Sequence, residues 1–157
     1  MTGAAAVAAI DSLSGPEQFL VRALRCASAP PPGGMARIMR MLEGRMGTQA
    51  ARRAHDALGE MFEIIACHGR RPLRHHAPGA SCIGADERVF AHFVMLAATA
   101  DREDAMLVGS LIVQGSLLLP FVDAARRAGL ELLRAELRRP RAMFEPSPVP
   151  FPGGGPH

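Results

Sequence analysis

Apolar residues recur every three or four positions along most of this chain, a spacing typical of amphipathic α-helices. The longest such segment covers residues 35–67, with apolar positions Met35, Ile38, Met39, Leu42, Met46, Ala50, Ala54, Leu58, Met61, Phe62 and Ile65. A shorter helix precedes it, opening at Pro16, and three more are predicted to begin near Asp86, Asp101 and Pro120. The pattern therefore predicts an all-α fold, a compact bundle of four to five helices.

Proline and glycine mark the ends of this helical region. We expect one helical domain over residues 16–139, preceded by a flexible lead-in over residues 1–15. Residues 140–157 are rich in proline and glycine, so they form neither a helix nor a central strand. We predict a disordered tail there.

The 35–67 segment could form either one long helix or two shorter ones. Gly44 and Gly47 weaken its middle, so a kink or a break is one prediction. An unbroken helix would be too long for the other helices of its own chain to cover. Its uncovered apolar positions would then form an exposed patch: Met35, Ile38, Met39 and Leu42. That alternative predicts a homodimer in which this helix packs against its copy.

Residues 105–122 contain no charged side chain and approach the length of a membrane-spanning helix. Polar residues and Pro120 interrupt the segment, so we predict a buried helix at the centre of the bundle instead of a membrane span. The final helix is expected to turn a set of apolar residues inward: Phe121, Val122, Ala125, Leu130, Leu133 and Leu137.

The composition narrows the class of protein. Hydrophobic residues make up 48% of the chain, with no Trp or Tyr, which favours an aliphatic helical core. All basic residues are arginines, as in proteins from GC-rich bacterial genomes, and a lysine-dependent phosphate loop or Schiff base is excluded. The net charge of +3 is no strong signal for nucleic-acid binding.

Three cysteines and no secretory signal predict a cytoplasmic protein with free thiols.

Residues 67–82 concentrate the side chains that carry chemistry, between two predicted helices. Five of them are candidate ligands for zinc or iron: Cys67, His68, His75, His76 and Cys82. Their spacing matches no established zinc motif. Cys67 alternatively continues the apolar spacing of its helix as a small core residue, and a Cys–His nucleophilic pair is a third interpretation.

Three arginines in the same stretch, Arg70, Arg71 and Arg74, predict an anion-binding site. The competing interpretation is that they pair with Asp86 or Glu87 at the start of the next helix, where Asp86 is the predicted N-cap, or with the last carbonyls of the preceding helix. His92 is expected to be a hydrogen-bonded core histidine on that helix.

The sequence thus predicts a non-enzymatic bacterial regulatory or protein-interaction module. It would act through helix association and an exposed loop over residues 67–82. The alternative is a metal-binding or redox-sensing helical protein that uses the same loop, and an enzyme with a Cys–His pair comes third.

Overall fold

The computed structural model describes residues 8–140, and within that range it contains six α-helices. They are α1 (Gly15–Ala27), α2 (Gly33–Glu43), α3 (Thr48–His68), α4 (Ala85–Thr99), α5 (Arg102–Gly109) and α6 (Leu118–Arg138). Extended pairing in this range is limited to two isolated β-bridges, Ala9 with Cys82 and Gly69 with Val113. The all-α prediction is confirmed, with six helices in place of four to five.

The extra helix arises because the 35–67 segment is broken. Helix α2 ends at Glu43, and α3 begins at Thr48 after Gly47, whose backbone is extended. The two helices pack against each other, and Ile38 and Leu42 are fully buried. The predicted exposed patch is therefore wrong at Ile38 and Leu42, whereas Met35 and Met39, which belonged to the same predicted patch, are half-buried.

Helix α6 lies at the centre of the bundle, in contact with α1, α3, α4 and α5. Its crossing with α4 is held by stacked rings of Phe93 and Phe121, whose centroids are 4.6 Å apart. Gly129 allows the two helices to approach closely, because a Cβ atom at this position would lie 2.8 Å from the carbonyl oxygen of Val94. Of the inward-facing residues predicted for α6, Leu137 is instead 85% exposed.

The prediction of a central helix within residues 105–122, before Pro120, is also wrong. Helix α5 ends at Gly109, and an irregular segment leads to α6, with Leu107 and Leu111 exposed. A Cβ atom at Gly109 would lie 2.9 Å from Phe93, which explains the small residue at this packed position. Within residues 8–140, none of the helices combines the length and apolar character needed to cross a bilayer.

The end of the predicted lead-in is ordered. Ser14 caps α1 in a reciprocal capping box with Glu17, and Pro16 occupies the first turn as predicted. Ahead of the cap, Ile10 is buried in the core. Residues 8–14 therefore belong to the fold, while residues 1–7 and 141–157 of the predicted flexible ends lie outside the described range.

Two glycines in helix interiors offer a matched test of this packing. We predict that Gly129→Ala lowers the free energy of unfolding by about 1–3 kcal/mol, because the added methyl meets backbone of α4 that has no room to move. Gly59→Ala should instead raise it by up to about 1 kcal/mol, since its nearest neighbour is the flexible end of Met35 at 3.5 Å. Urea unfolding followed by circular dichroism measures both, and equal effects would contradict the proposed close approach.

Candidate functional site

The segment that joins α3 to α4, residues 69–84, is here called the 69–84 loop. Most of its residues are exposed, and it forms no helix or strand beyond the two bridges. Its first residues pair with the turn before α6, because the amide of Arg70 donates to the carbonyl of Ile112 at 2.9 Å and that of Gln114 to His68 at 3.0 Å. The loop is thus fixed where it leaves α3.

A buried ion pair lies under the far end of the loop. Arg25 of α1 donates from Nε to one carboxylate oxygen of Glu87 at 2.6 Å, and from Nη2 to the other at 3.0 Å. The two side chains are 1% and 0% exposed. The guanidinium also donates to the carbonyl of Ala80 at 2.8 Å and to that of Cys82 at 2.7 Å. One arginine therefore joins α1, α4 and the loop.

Glu87 completes this arrangement from the opposite side. Its two oxygens accept the backbone amides of His76 and Gly84, each at 2.9 Å. Burial alone raises the pKa of the Glu87 carboxyl, but the hydrogen bonds from Arg25 and from the two amides outweigh it and hold the pKa below its ordinary value of 4.5. The carboxylate is ionised and all its strong contacts are satisfied from within the fold.

The neighbouring carboxylate, Asp86, holds the middle of the loop. It accepts two hydrogen bonds from Arg71, at 2.6 and 2.7 Å, and one from the amide of Arg74 at 2.7 Å. The hydrogen bonds from Arg71 are the main reason that the pKa of Asp86 lies below its ordinary value of 3.8. The prediction that Asp86 is the N-cap of α4 is wrong, because Gly84 occupies that position.

A third restraint comes from the N-terminal segment. The amide of Ile10 donates to the carbonyl of Ser81 at 2.8 Å, and the amide of Ile83 donates to that of Ala8 at 3.0 Å. These bonds form the bridge between Ala9 and Cys82. The 69–84 loop is therefore held along its length by backbone pairing and by two adjacent carboxylates, although it faces solvent.

The five predicted metal ligands do not converge. Cys67, His68, His75 and His76 are exposed, and Cys82 is half-buried. All three cysteines are free thiols, and the expectation that Cys67 is a core residue is wrong. Within residues 8–140, no three His, Cys, Asp or Glu side chains are placed to hold a metal ion. The geometry thus gives zinc or iron binding no support.

The three predicted anion-binding arginines differ in their contacts. Arg71 is paired with Asp86, as the competing interpretation proposed. Arg70 donates from Nε to the carbonyl of Ser110 at 2.5 Å, a neutral acceptor. The guanidinium of Arg74 has no hydrogen-bond or ion-pair partner among residues 8–140. The guanidinium groups of Arg70 and Arg74 therefore form no ion pair within residues 8–140, although the charge of Arg74 contributes to the lowered pKa of Asp86.

Two large open grooves border the loop, beside a smaller one of about 150 Å³ that Arg71 and Leu73 line. The basic groove has a volume of about 580 Å³ and is lined by Arg71, Arg74, His75, His76, Ala85 and Asp86. The apolar groove, of about 500 Å³, lies between the loop and the ends of α1 and α3, and its lining includes Leu24, Phe62, Ile65, Leu73, Arg70 and Arg71. Arg71 and His75 line both grooves, so the two grooves adjoin at the loop.

Sequence reasoning identified the loop but missed the side chain that holds it. Arg25 follows Val21 by four residues, on the face of α1 that packs into the core. Glu87 likewise shares the buried face of α4 with Phe90, Ala91 and Val94. In both helices, a charged residue at a position where the pattern predicts an apolar one was the signal in the sequence that could have indicated the buried pair. His92 shows the reverse error, because it was expected in the core and is exposed.

No family model matches this sequence, and no curated protein or solved structure is significantly similar to it.

We predict that Glu87→Gln lowers the free energy of unfolding at neutral pH by about 3–5 kcal/mol, because it leaves Arg25 buried without a counter-charge. The matched control is Glu63→Gln, an exposed position on α3, which should change stability by less than about 0.5 kcal/mol. Urea unfolding of both variants measures the difference.

A comparison of wild type with Glu87→Gln tests the pH dependence of stability. A carboxyl whose folded-state pKa is depressed stabilises the fold fully above its unfolded-state pKa, and this contribution is lost as the pH falls through the folded-state value. The stability difference between wild type and Glu87→Gln should therefore shrink as the pH falls from about 5 toward 3. A difference that stays constant over this range would contradict an ionised, hydrogen-bonded Glu87.

Proposed function

We propose that this protein is a non-enzymatic protein-interaction module whose recognition element is the 69–84 loop. The observation that carries the proposal is that this loop is both exposed and fixed from below by the buried Arg25–Glu87 pair. A helical core of this kind needs no buried arginine for stability alone, since apolar replacements of a buried ion pair are often neutral or stabilising. The pair is better explained by the loop conformation that it specifies.

Preorganisation is what makes a fixed loop useful for recognition. Ordering a flexible backbone costs about 1–2 kcal/mol per residue, and a partner that binds a flexible loop must offset this cost. Here the folding of the bundle has already ordered the segment between Arg70 and Gly84, through contacts with α1, α4 and the N-terminal segment. Binding therefore loses little conformational entropy.

The proposal rests on the loop and not on helix association through α2. Ile38 and Leu42 of the predicted α2 seam are buried within their own chain, while Met35 and Met39 are half-buried. No geometric observation within residues 8–140 favours the metal-binding alternative. The grooves on both sides of the loop supply contact surface, and their apolar and charged linings are of the kinds found at protein interfaces.

Site-specific photo-cross-linking in the native host tests this proposal. A photoreactive amino acid replaces one of three exposed alanines: Ala66 in the apolar groove, Ala85 in the basic groove, or Ala36 on α2 as the control. We expect one discrete protein adduct, the same from Ala66 and Ala85 and absent from Ala36. Adducts of equal yield from all three positions, or none from the two grooves, would contradict the proposal.

A further inference from the structure

The apolar groove has a rigid floor. Phe62 is stacked on the buried ring of Phe90, with centroids 5.7 Å apart, so its position is set by the core. Leu24, Ile65 and Leu73 line the same groove from α1, α3 and the loop. The groove is thus a preformed depression that an apolar side chain of a partner would fill, with release of water from both surfaces.

The charges beside this floor are unbalanced. Arg71 is neutralised by Asp86, but Arg70, which lines the apolar groove, contacts only a neutral carbonyl in the described part of the chain. Arg74, in the basic groove, has no partner there. Two planar guanidinium groups with free donors therefore stand next to an apolar floor, and carboxylates are the complementary acceptors.

The two grooves adjoin each other at the loop. Arg71 and His75 line both of them, so the floor and the uncompensated charges belong to one continuous surface. Free guanidinium donors lie on both sides of the shared residues, Arg70 beside the apolar floor and Arg74 in the basic groove. A ligand whose apolar group fills the apolar groove therefore has a donor in the same groove and a second donor across the shared residues.

We infer that the partner binds through a segment that places an acidic side chain next to an apolar one. This inference rests on the proposed function and names the chemistry of the partner. The apolar side chain occupies the groove floored by Phe62 and Leu73, and the carboxylate accepts hydrogen bonds from Arg70 or Arg74. Because Arg71 is already bound to Asp86, it borders the site without supplying free charge.

A protein segment fits this surface better than a nucleic acid does. Single-stranded nucleic acids bind to grooves that track several phosphates and offer aromatic rings for stacking. Here Phe62 is the only phenyl ring in the two linings, and its ring is already stacked on Phe90. Two uncompensated arginines beside an apolar floor match a short acidic and apolar peptide.

Selection from a phage-displayed library of random peptides against the full-length protein tests the inference. We expect enrichment of sequences in which Asp or Glu lies within one or two positions of Leu, Ile, Met or Phe. The double variant Arg70→Gln/Arg74→Gln should weaken the selected peptides about 10- to 100-fold in fluorescence anisotropy, as expected for the loss of charge-assisted hydrogen bonds. Arg37→Gln/Arg40→Gln, with the same change of net charge at exposed positions of α2, is the control and should leave affinity unchanged.

Other outcomes overturn the inference. Enrichment of neutral or basic peptides, no enrichment at all, or equal weakening by the α2 control would each do so. A fluorescent single-stranded RNA that binds wild type and is released by Arg70→Gln/Arg74→Gln would assign the surface to nucleic acid instead. Protein adducts from Ala66 and Ala85 together with neutral selected peptides would refute only the partner chemistry, whereas absence of groove adducts would refute the proposed function itself.

Discussion

The ion pair between Arg25 and Glu87 is the interaction on which the rest of the candidate site depends. Removing two charges from water costs several kcal/mol for each ion, and the pair is tolerated because each guanidinium nitrogen and each carboxylate oxygen is hydrogen-bonded. The guanidinium bonds to the carboxylate and to two loop carbonyls, while the carboxylate also accepts two loop amides. The backbone of the loop is therefore part of the charge compensation, and loop and pair stabilise each other.

Asp86 and Glu87 lie on two different faces of α4 and hold different parts of the loop. Glu87 points into the bundle and fixes the end of the loop, whereas Asp86 lies at the surface and fixes its middle through Arg71 and the amide of Arg74. Adjacent residues on a helix point about 100° apart, so consecutive carboxylates reach separate parts of one loop. Asp86 also neutralises Arg71 and so determines which arginines keep free donors.

The helical pattern predicted the fold class, because amphipathic spacing depends on local geometry that every helix shares. Breaks were harder to predict. Gly44 and Gly47 were recognised as weak points, but whether the segment breaks depends on the contacts that bury Ile38 and Leu42 after the chain turns back. The predicted central helix after Ala105 was wrong because the hydrophobicity of a segment does not show where a helix ends, and this helix ends at Gly109.

The candidate site was predictable in its location and not in its construction. The density of Cys, His and Arg residues indicated the loop as the site. A metal site also requires that the ligand side chains lie close together, and the spacing of residues along an irregular loop does not determine this. Arg25 is far from the loop in sequence and reaches it only through the packing of α1 on α4. The sequence indicates such a long-range ion pair only by a charged residue at a position where the helical pattern predicts an apolar one.

Residue-resolved hydrogen exchange most directly tests the claim that the buried pair orders the exposed loop. In the wild-type protein, the amides of His76 and Gly84 should be protected, because Glu87 accepts both. In Arg25→Met, which leaves this carboxylate without its counter-charge, the protection of both amides should fall to the level of an open loop. Amides at the α4–α6 crossing exchange through global unfolding, so they should lose only the protection that matches the drop in global stability. Equal protection of His76 and Gly84 in both proteins would contradict the account, since the loop would then be ordered without the pair.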